Sequence, residues 1–125
     1  MEEDSLATFG ELIALRLRDP AIEQFENLRK GDRKAPRLLD LQAKLDALNP
    51  ETQEIVRRCV ISAIDCAIHD FLFALQEGDF NGHSVEVLVD GENVAEASDG
   101  LNGEIYGCSG WFAEYSTYGE PPERA

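Results

Sequence analysis

The second part of this sequence is almost without lysine or arginine. Residues 77–125 hold 11 acids and one base, Arg124, whereas residues 1–76 hold 14 acids and 10 bases. Over 125 residues the formal net charge is −14 and the pI is about 4.3. Phosphate-backbone recognition needs a basic footprint, so this balance argues against a nucleic-acid reader. An anionic membrane surface is disfavoured for the same reason. Long apolar runs are missing too: no stretch of the sequence approaches the roughly 18 consecutive apolar residues of a spanning helix. Met1-Glu2-Glu3-Asp4 is acidic where a signal peptide would be basic, and a cytoplasmic protein is the expectation. Cysteine is scarce, with Cys59, Cys66 and Cys108 the three present. Cys59 and Cys66 are seven residues apart on one expected helix, a rise of about 10.5 Å. A disulfide tolerates Cα separations only up to about 7 Å, so this pair cannot bridge. No CxxC spacing suggests zinc, and buried apolar thiols are expected instead.

Recognisable catalytic loops are also absent. No lysine follows Gly78 in the manner of a phosphate-cradling loop, and Gly107-Cys108-Ser109-Gly110 lacks the glycine spacing of a nucleophile elbow. Asp79-Phe80-Asn81-Gly82 and Asp90-Gly91-Glu92-Asn93 faintly resemble calcium loops. Neither carries the twelve-residue pattern with its terminal acid, and turn chemistry accounts for both. No metal and no cofactor are expected.

What is present reads as one globular domain over 1–125, with 43% hydrophobic and 29% charged residues. The helical part spans 5–77. Asp4 or Ser5 caps a first helix with Leu6, Phe9, Ile13 and Leu17 as its stripe. Asp19-Pro20 ends it and opens a second helix, with Ile22, Phe25 and Leu28, that stops at Gly31. A polar loop holding Lys30, Arg33, Lys34 and Arg37 follows. Pro36 opens a third helix with Leu38, Leu41, Leu45 and Leu48. Asn49-Pro50-Glu51 is the strongest start signal in the chain, and its helix runs to Gln76 or Glu77 before Gly78. Apolar residues occupy so much of its circumference that it is expected to be central, covered on more than one side.

After Gly78 the pattern changes to a β part over 84–116. Ser84 to Val89 is rich in β-branched residues, Asp90-Gly91 supplies a hairpin turn, and Val94 to Ala97 returns. Glu104-Ile105-Tyr106 and Trp111 to Tyr115 add short extended pieces. Residues 118–125 read as a loose tail. The expected architecture is α+β: about four helices with a long central one, then an antiparallel meander of three or four strands.

Asp65, His69 and Asp70 form the most suggestive polar cluster of the long helix, with Cys66 facing Asp70. Burying such groups unpaired costs about 1 to 3 kcal/mol each. The structural expectation is that Asp65 or Asp70, oriented by His69, accepts backbone N–H groups from the glycine-rich loop Asp99 to Gly110. His69-Asp70 also resembles the histidine–aspartate pair of HD-type metal-dependent phosphohydrolases. That resemblance implies a small metal-dependent hydrolase centred on Asp65, His69 and Asp70. The family's upstream histidine has no counterpart here.

The charge map points elsewhere. Glu86, Asp90, Glu92, Glu96, Asp99, Glu104 and Glu114 are interleaved with Tyr106, Trp111, Tyr115 and Tyr118, with no cation among them. Acids steer a basic partner in, and tyrosine and tryptophan anchor it once water is excluded. The expected contact is Glu92, Asp99 and Glu104 with Tyr106 and Trp111, although strand alternation could turn Trp111 inward. The stretch Ile64 to Leu75, with Ser98 to Glu104 and Gly110-Trp111, resembles small uncharacterised bacterial domains, some of which are similar to immunity proteins of polymorphic toxins. The resemblance implies a non-enzymatic protein-binding module that inhibits a basic toxin. A structural homodimer joined at a sheet edge is the remaining reading.

Overall fold

The computed structural model describes residues 2–121, with side chains from Ser5 to Pro121. The first helical stretch runs without interruption from residue 2 to residue 30. It comprises α1 (Glu2–Ile13), a π-helical turn (Ala14–Arg18) and α2 (Asp19–Lys30). The expected break at Asp19-Pro20 is therefore absent, and so is the expected cap at Asp4 or Ser5. Proline inside a helix has no N–H to offer and crowds the preceding turn. The π turn accommodates it: the Asp19 N–H reaches back five residues to the Ala14 carbonyl.

The wider turn changes which side chains face inward. In regular α-helix the inward position after Ile13 would be Leu17. With one residue more in the turn, Leu17 is exposed and Arg18 is fully buried, followed inward by Ile22 and Phe25. Gly31, at φ 77°, then ends α2 in the left-handed conformation that glycine adopts without penalty. α3 (Pro36–Asp46) begins at its proline. Gln42, not a leucine, joins Leu45 inside, because its side chain bonds both the N–H and the carbonyl of Arg33. Leu41 and Leu48, expected on the inner stripe, are exposed.

α4 (Pro50–Glu77) has the caps its sequence announces. The Asn49 side chain accepts from the Thr52 N–H at 2.8 Å, and Gly78 closes the helix at φ 71°. Its burial is narrower than expected. Ile61, Asp65, Ile68, Leu72 and Leu75 make one inward stripe, and no described residue covers the helix on a second side. Ile55, Phe71 and Phe73 are exposed, as are all three cysteines. By length and composition alone, α4 is long and apolar enough to cross a membrane. No such stretch is expected from the sequence, whose unbroken apolar runs are short.

Beyond α4 there is no meander. Two short antiparallel hairpins replace it: β1 (Asp79–Phe80) with β2 (His83–Ser84), and β3 (Leu88–Val89) with β4 (Glu92–Asn93). Both turns, Asn81-Gly82 and Asp90-Gly91, hold two consecutive residues at positive φ, as tight primed turns require. The segment Val94 to Ala97, expected as a strand, is a helical turn, α5 (Val94–Ala97). The Asn93 side chain caps it by accepting from the N–H groups of Ala95 and Glu96. A 3₁₀ turn (Leu101–Gly103) and α6 (Trp111–Tyr115) complete the order. The molecule is mostly helical with a minor antiparallel component, a helix-rich α+β arrangement.

One core joins these pieces. Phe9 and Ile13 of α1 meet Ile68, Leu72 and Leu75 of α4, with Val94, Leu101, Ile105, Trp111 and Phe112 closing over them. Next to it lies the polar junction that ties the C-terminal segment down. Arg18 donates to both carboxylate oxygens of Asp65, at 2.7 and 3.1 Å, and to the Ser116 hydroxyl and the Gly119 carbonyl. Its guanidinium carbon lies 4.0 Å from the centre of the Phe112 ring. Asp19, one residue on, accepts from the Ser116 hydroxyl and the Thr117 N–H. The expected loose tail is thus held as far as Pro121, which is buried. Residues 122–125 lie outside the described residues.

Two stability measurements test this account. Asp65→Asn leaves the buried Arg18 charge without its counter-ion and should cost about 3 to 5 kcal/mol in urea denaturation. Arg18→Met with Asp65→Leu should recover much of that loss. Gly10→Ala would gain up to about 1 kcal/mol of helix propensity. Its new methyl group would sit 2.5 Å from the Trp111 ring nitrogen. Overpacking costs about 1 to 3 kcal/mol, so the variant should be net destabilised, with a lower denaturation midpoint.

Candidate functional site

The polar cluster of α4 does not act as one unit. Asp65 points inward to Arg18, and its carboxylate is committed there. His69 and Asp70 stay near the surface, with Nδ1 and Oδ1 3.1 Å apart. The other face of His69 lies against the loop: Nε2 is 3.4 Å from the Asn102 amide nitrogen, and its ring stacks near Tyr106 at 6.2 Å between centroids. Among the described residues no group of three histidine, cysteine or acidic side chains could hold a metal ion. Asp65 is held by Arg18 while His69 and Asp70 meet each other near the surface, so the three expected residues are not brought together.

The glycine-rich loop is tethered to α4, though by a different side chain from those expected. Gln76 accepts the Leu101 N–H at 2.8 Å and donates to the Ala95 carbonyl at 3.0 Å. One uncharged amide thus satisfies two segments at once, at the point where α5 and the 3₁₀ turn converge. Asp70 takes no part in this and is solvent-exposed.

The expected contact residues also separate. Trp111 is 5% exposed, its ring edge-on to Phe9 at 5.9 Å and seated over Gly10. A buried indole cannot anchor a partner, so Trp111 leaves the candidate surface. Tyr106 is half-buried between His69 and Phe112. Glu104 accepts the Ser98 hydroxyl at 2.5 Å, and Ser98 accepts the Gly100 N–H. Those bonds place Glu104 beside exposed Asp99. Glu92 is half-buried on β4, away from them in sequence and paired across the hairpin with Val89.

A different constellation takes their place at the C-terminal end of α4. Glu77, Glu86 and Glu96 line a groove of about 310 Å³ between that helix end, the linker joining the two hairpins, and α5. All three are exposed, and no ion pair among the described residues reaches any of them. The helix terminus contributes negative potential of its own, since its last carbonyls point there. Tyr115 and Tyr118 sense other acids, away from the groove lining. Partial burial raises both phenols above their ordinary value, with Glu114 and Glu11 adding to the first and Glu23, Glu26 and Asp19 to the second.

Next to the groove, the first hairpin, whose sequence is expected to be turn chemistry alone, supplies an exposed aromatic. Phe80 is 67% exposed. It pairs across the hairpin with His83, and Val85 bonds back to the Gly78 carbonyl. Strand alternation then puts Phe80, His83 and Val85 on one face. Leu88 is a further exposed apolar side chain, on the second hairpin. The signal was available: Asn81-Gly82 right after an aromatic is a strong short-range hairpin cue.

Compared with protein-family models, curated proteins and solved structures, the chain matches none of them. Its functional reading rests on its own geometry. If Asp70 is a surface group, Asp70→Asn should change unfolding free energy by less than about 0.5 kcal/mol. A larger loss in the same denaturation assay would restore it to a structural role.

Proposed function

We propose that this chain is a non-enzymatic, cytoplasmic protein-binding module whose acidic hairpin end engages a basic protein. The resemblance to polymorphic-toxin immunity proteins noted in the sequence implies a toxin as that partner. One observation carries the reading: Glu77, Glu86 and Glu96 surround a groove with no cation among the described residues to neutralise them, and the first hairpin next to it exposes a phenylalanine. Uncompensated like charge destabilises a fold, and a cationic partner is what relieves it. Carboxylates around a concavity suit lysine or arginine side chains, and Phe80 supplies the desolvated contact that slows release.

The expected contact set changes accordingly. Asp99 and Glu104 remain as outlying acids, Glu92 and Tyr106 are half-buried, and Phe80 stands where Trp111 was expected.

The test is association with the protein encoded beside this chain in its genome, followed by surface-based kinetics between about 0.05 and about 0.5 M salt. Steering by this field should make the association rate fall at least about tenfold over that range. Glu86→Gln with Glu96→Gln should lower the rate at low salt, and Phe80→Ala should chiefly speed dissociation. Absence of association, or an association rate indifferent to salt and to both glutamates, would remove the reading.

A further inference from the structure

No described residue covers the outer face of α4, and its relief has a specific form. Ile55, Arg58, Cys59, Ser62, Ala63 and Cys66 line a depression of about 560 Å³ on that face. Ile55, Arg58, Cys59 and Ser62 stand at the i, i+3, i+4 and i+7 spacing of a hole that receives one side chain from a facing helix. Two turns beyond Cys66 on the same stripe stands a matching knob, Phe73, 49% exposed. Hole and knob lie on one helix and are equally distant from Cys66, seven residues to either side. A single α4 cannot bring them together; two antiparallel copies crossing at Cys66 can, twice over by symmetry.

Charge favours the same occupant. Arg58, at the rim of the hole, is exposed and makes no ion pair among the described residues, while Asp70 and Glu77 give the far end of the helix its negative charge. An antiparallel pairing sets Arg58 of one copy alongside Phe73 and within one turn of Glu77 of the other. It also lays each helix N-terminus against a C-terminus, the favourable arrangement of their dipoles.

We propose that α4 is the interface of an antiparallel homodimer, with Phe73 of each copy seated in the hole around Cys59 of the other. This surface meets the hairpin face only at Glu77, which also lines the acidic groove, and the proposal does not depend on the identity of any basic partner.

The full chain should sediment as a dimer, at twice 13.9 kDa, at micromolar concentration. Phe73→Glu should raise the dissociation constant at least about tenfold without changing the far-ultraviolet spectrum. Arg58→Glu should weaken the dimer, and Arg58→Glu with Glu77→Arg should restore it. Single-cysteine variants fix the register. With a short bismaleimide, the Cys59→Ser, Cys108→Ser double variant, which keeps Cys66 on the two-fold axis, should cross-link. The Cys66→Ser, Cys108→Ser variant should not, because the two Cys59 positions would be about 21 Å apart along the helices. A monomer at every concentration overturns the proposal. So does a dimer indifferent to Phe73→Glu, cross-linking through Cys59, or a monomer that sediments only with phosphatidylcholine vesicles, which would make the covering surface a bilayer.

Discussion

The structure turns on a buried arginine. Arg18 has no solvent exposure, and nothing in the hydrophobic effect would place it there. It is inside because Pro20 forces an extra residue into the preceding turn, and the wider turn rotates position 18 into the place a leucine would otherwise hold. Once inside, the charge must be matched. Asp65 supplies the counter-charge, Ser116 and the Gly119 carbonyl take further N–H groups, and the Phe112 ring lies against the guanidinium. Taking two charges out of water is expensive, and a well-packed apolar pair often does as well for stability. What the ion pair adds is connection. It joins three segments far apart in sequence, residues 18, 65 and 112–119, and determines where the C-terminal stretch lies. The strands and turns between α4 and α6 are short, so they have little order of their own to determine it.

The same residue explains why the N-terminal half was legible in outline and misread in detail. Helical periodicity located the apolar stripe up to Ile13, and Gly31, Pro36, Asn49 and Gly78 act as the terminators and caps their chemistry demands. Pro20 looked like a boundary because proline usually is one. That a π turn absorbs it, moving the inward register from Leu17 to Arg18, depends on tertiary partners nearly 50 and 100 residues away. No local pattern contains them. α4 shows the complementary error: its width of apolar residues implied a covered helix, and the single chain covers only one stripe.

The C-terminal half was harder for a plainer reason. Val94 to Ala97 and Trp111 to Tyr115 are too short to show a period, and apolar runs of that length fit a strand or a helical turn equally well. The decisive groups are single side chains. Asn93 caps the first run into helix, and Gln76, on a different element, satisfies the loop that the acids of α4 were expected to hold. Trp111 could not be assigned by alternation, because the segment is not a strand. Its neighbour is Gly10, more than 100 residues earlier, and only the fold reveals that pairing.

Two of the exposed surfaces bear on association, the hairpin end and the outer face of α4, and they obey different physics. At the hairpin end, acids with no counter-ion among the described residues project a field that reaches about 10 Å at moderate salt and draws in whatever is basic. Along α4 the exposed side chains are mainly apolar or small, and such a face exerts no pull until contact is made. Net charge opposes self-association, since two copies at −14 repel one another before they touch. Contact along α4 must therefore win at short range, by burying Phe73 and Ile55 and by setting Arg58 among groups of opposite sign. The separation of the two surfaces allows this, because the strongest repulsion sits at the hairpins while the mid-helix around Cys66 carries little charge. A sequence that puts 11 acids after residue 76 and almost none between 55 and 69 is arranged so that one end can attract a partner while the middle of its longest helix stays free to pack.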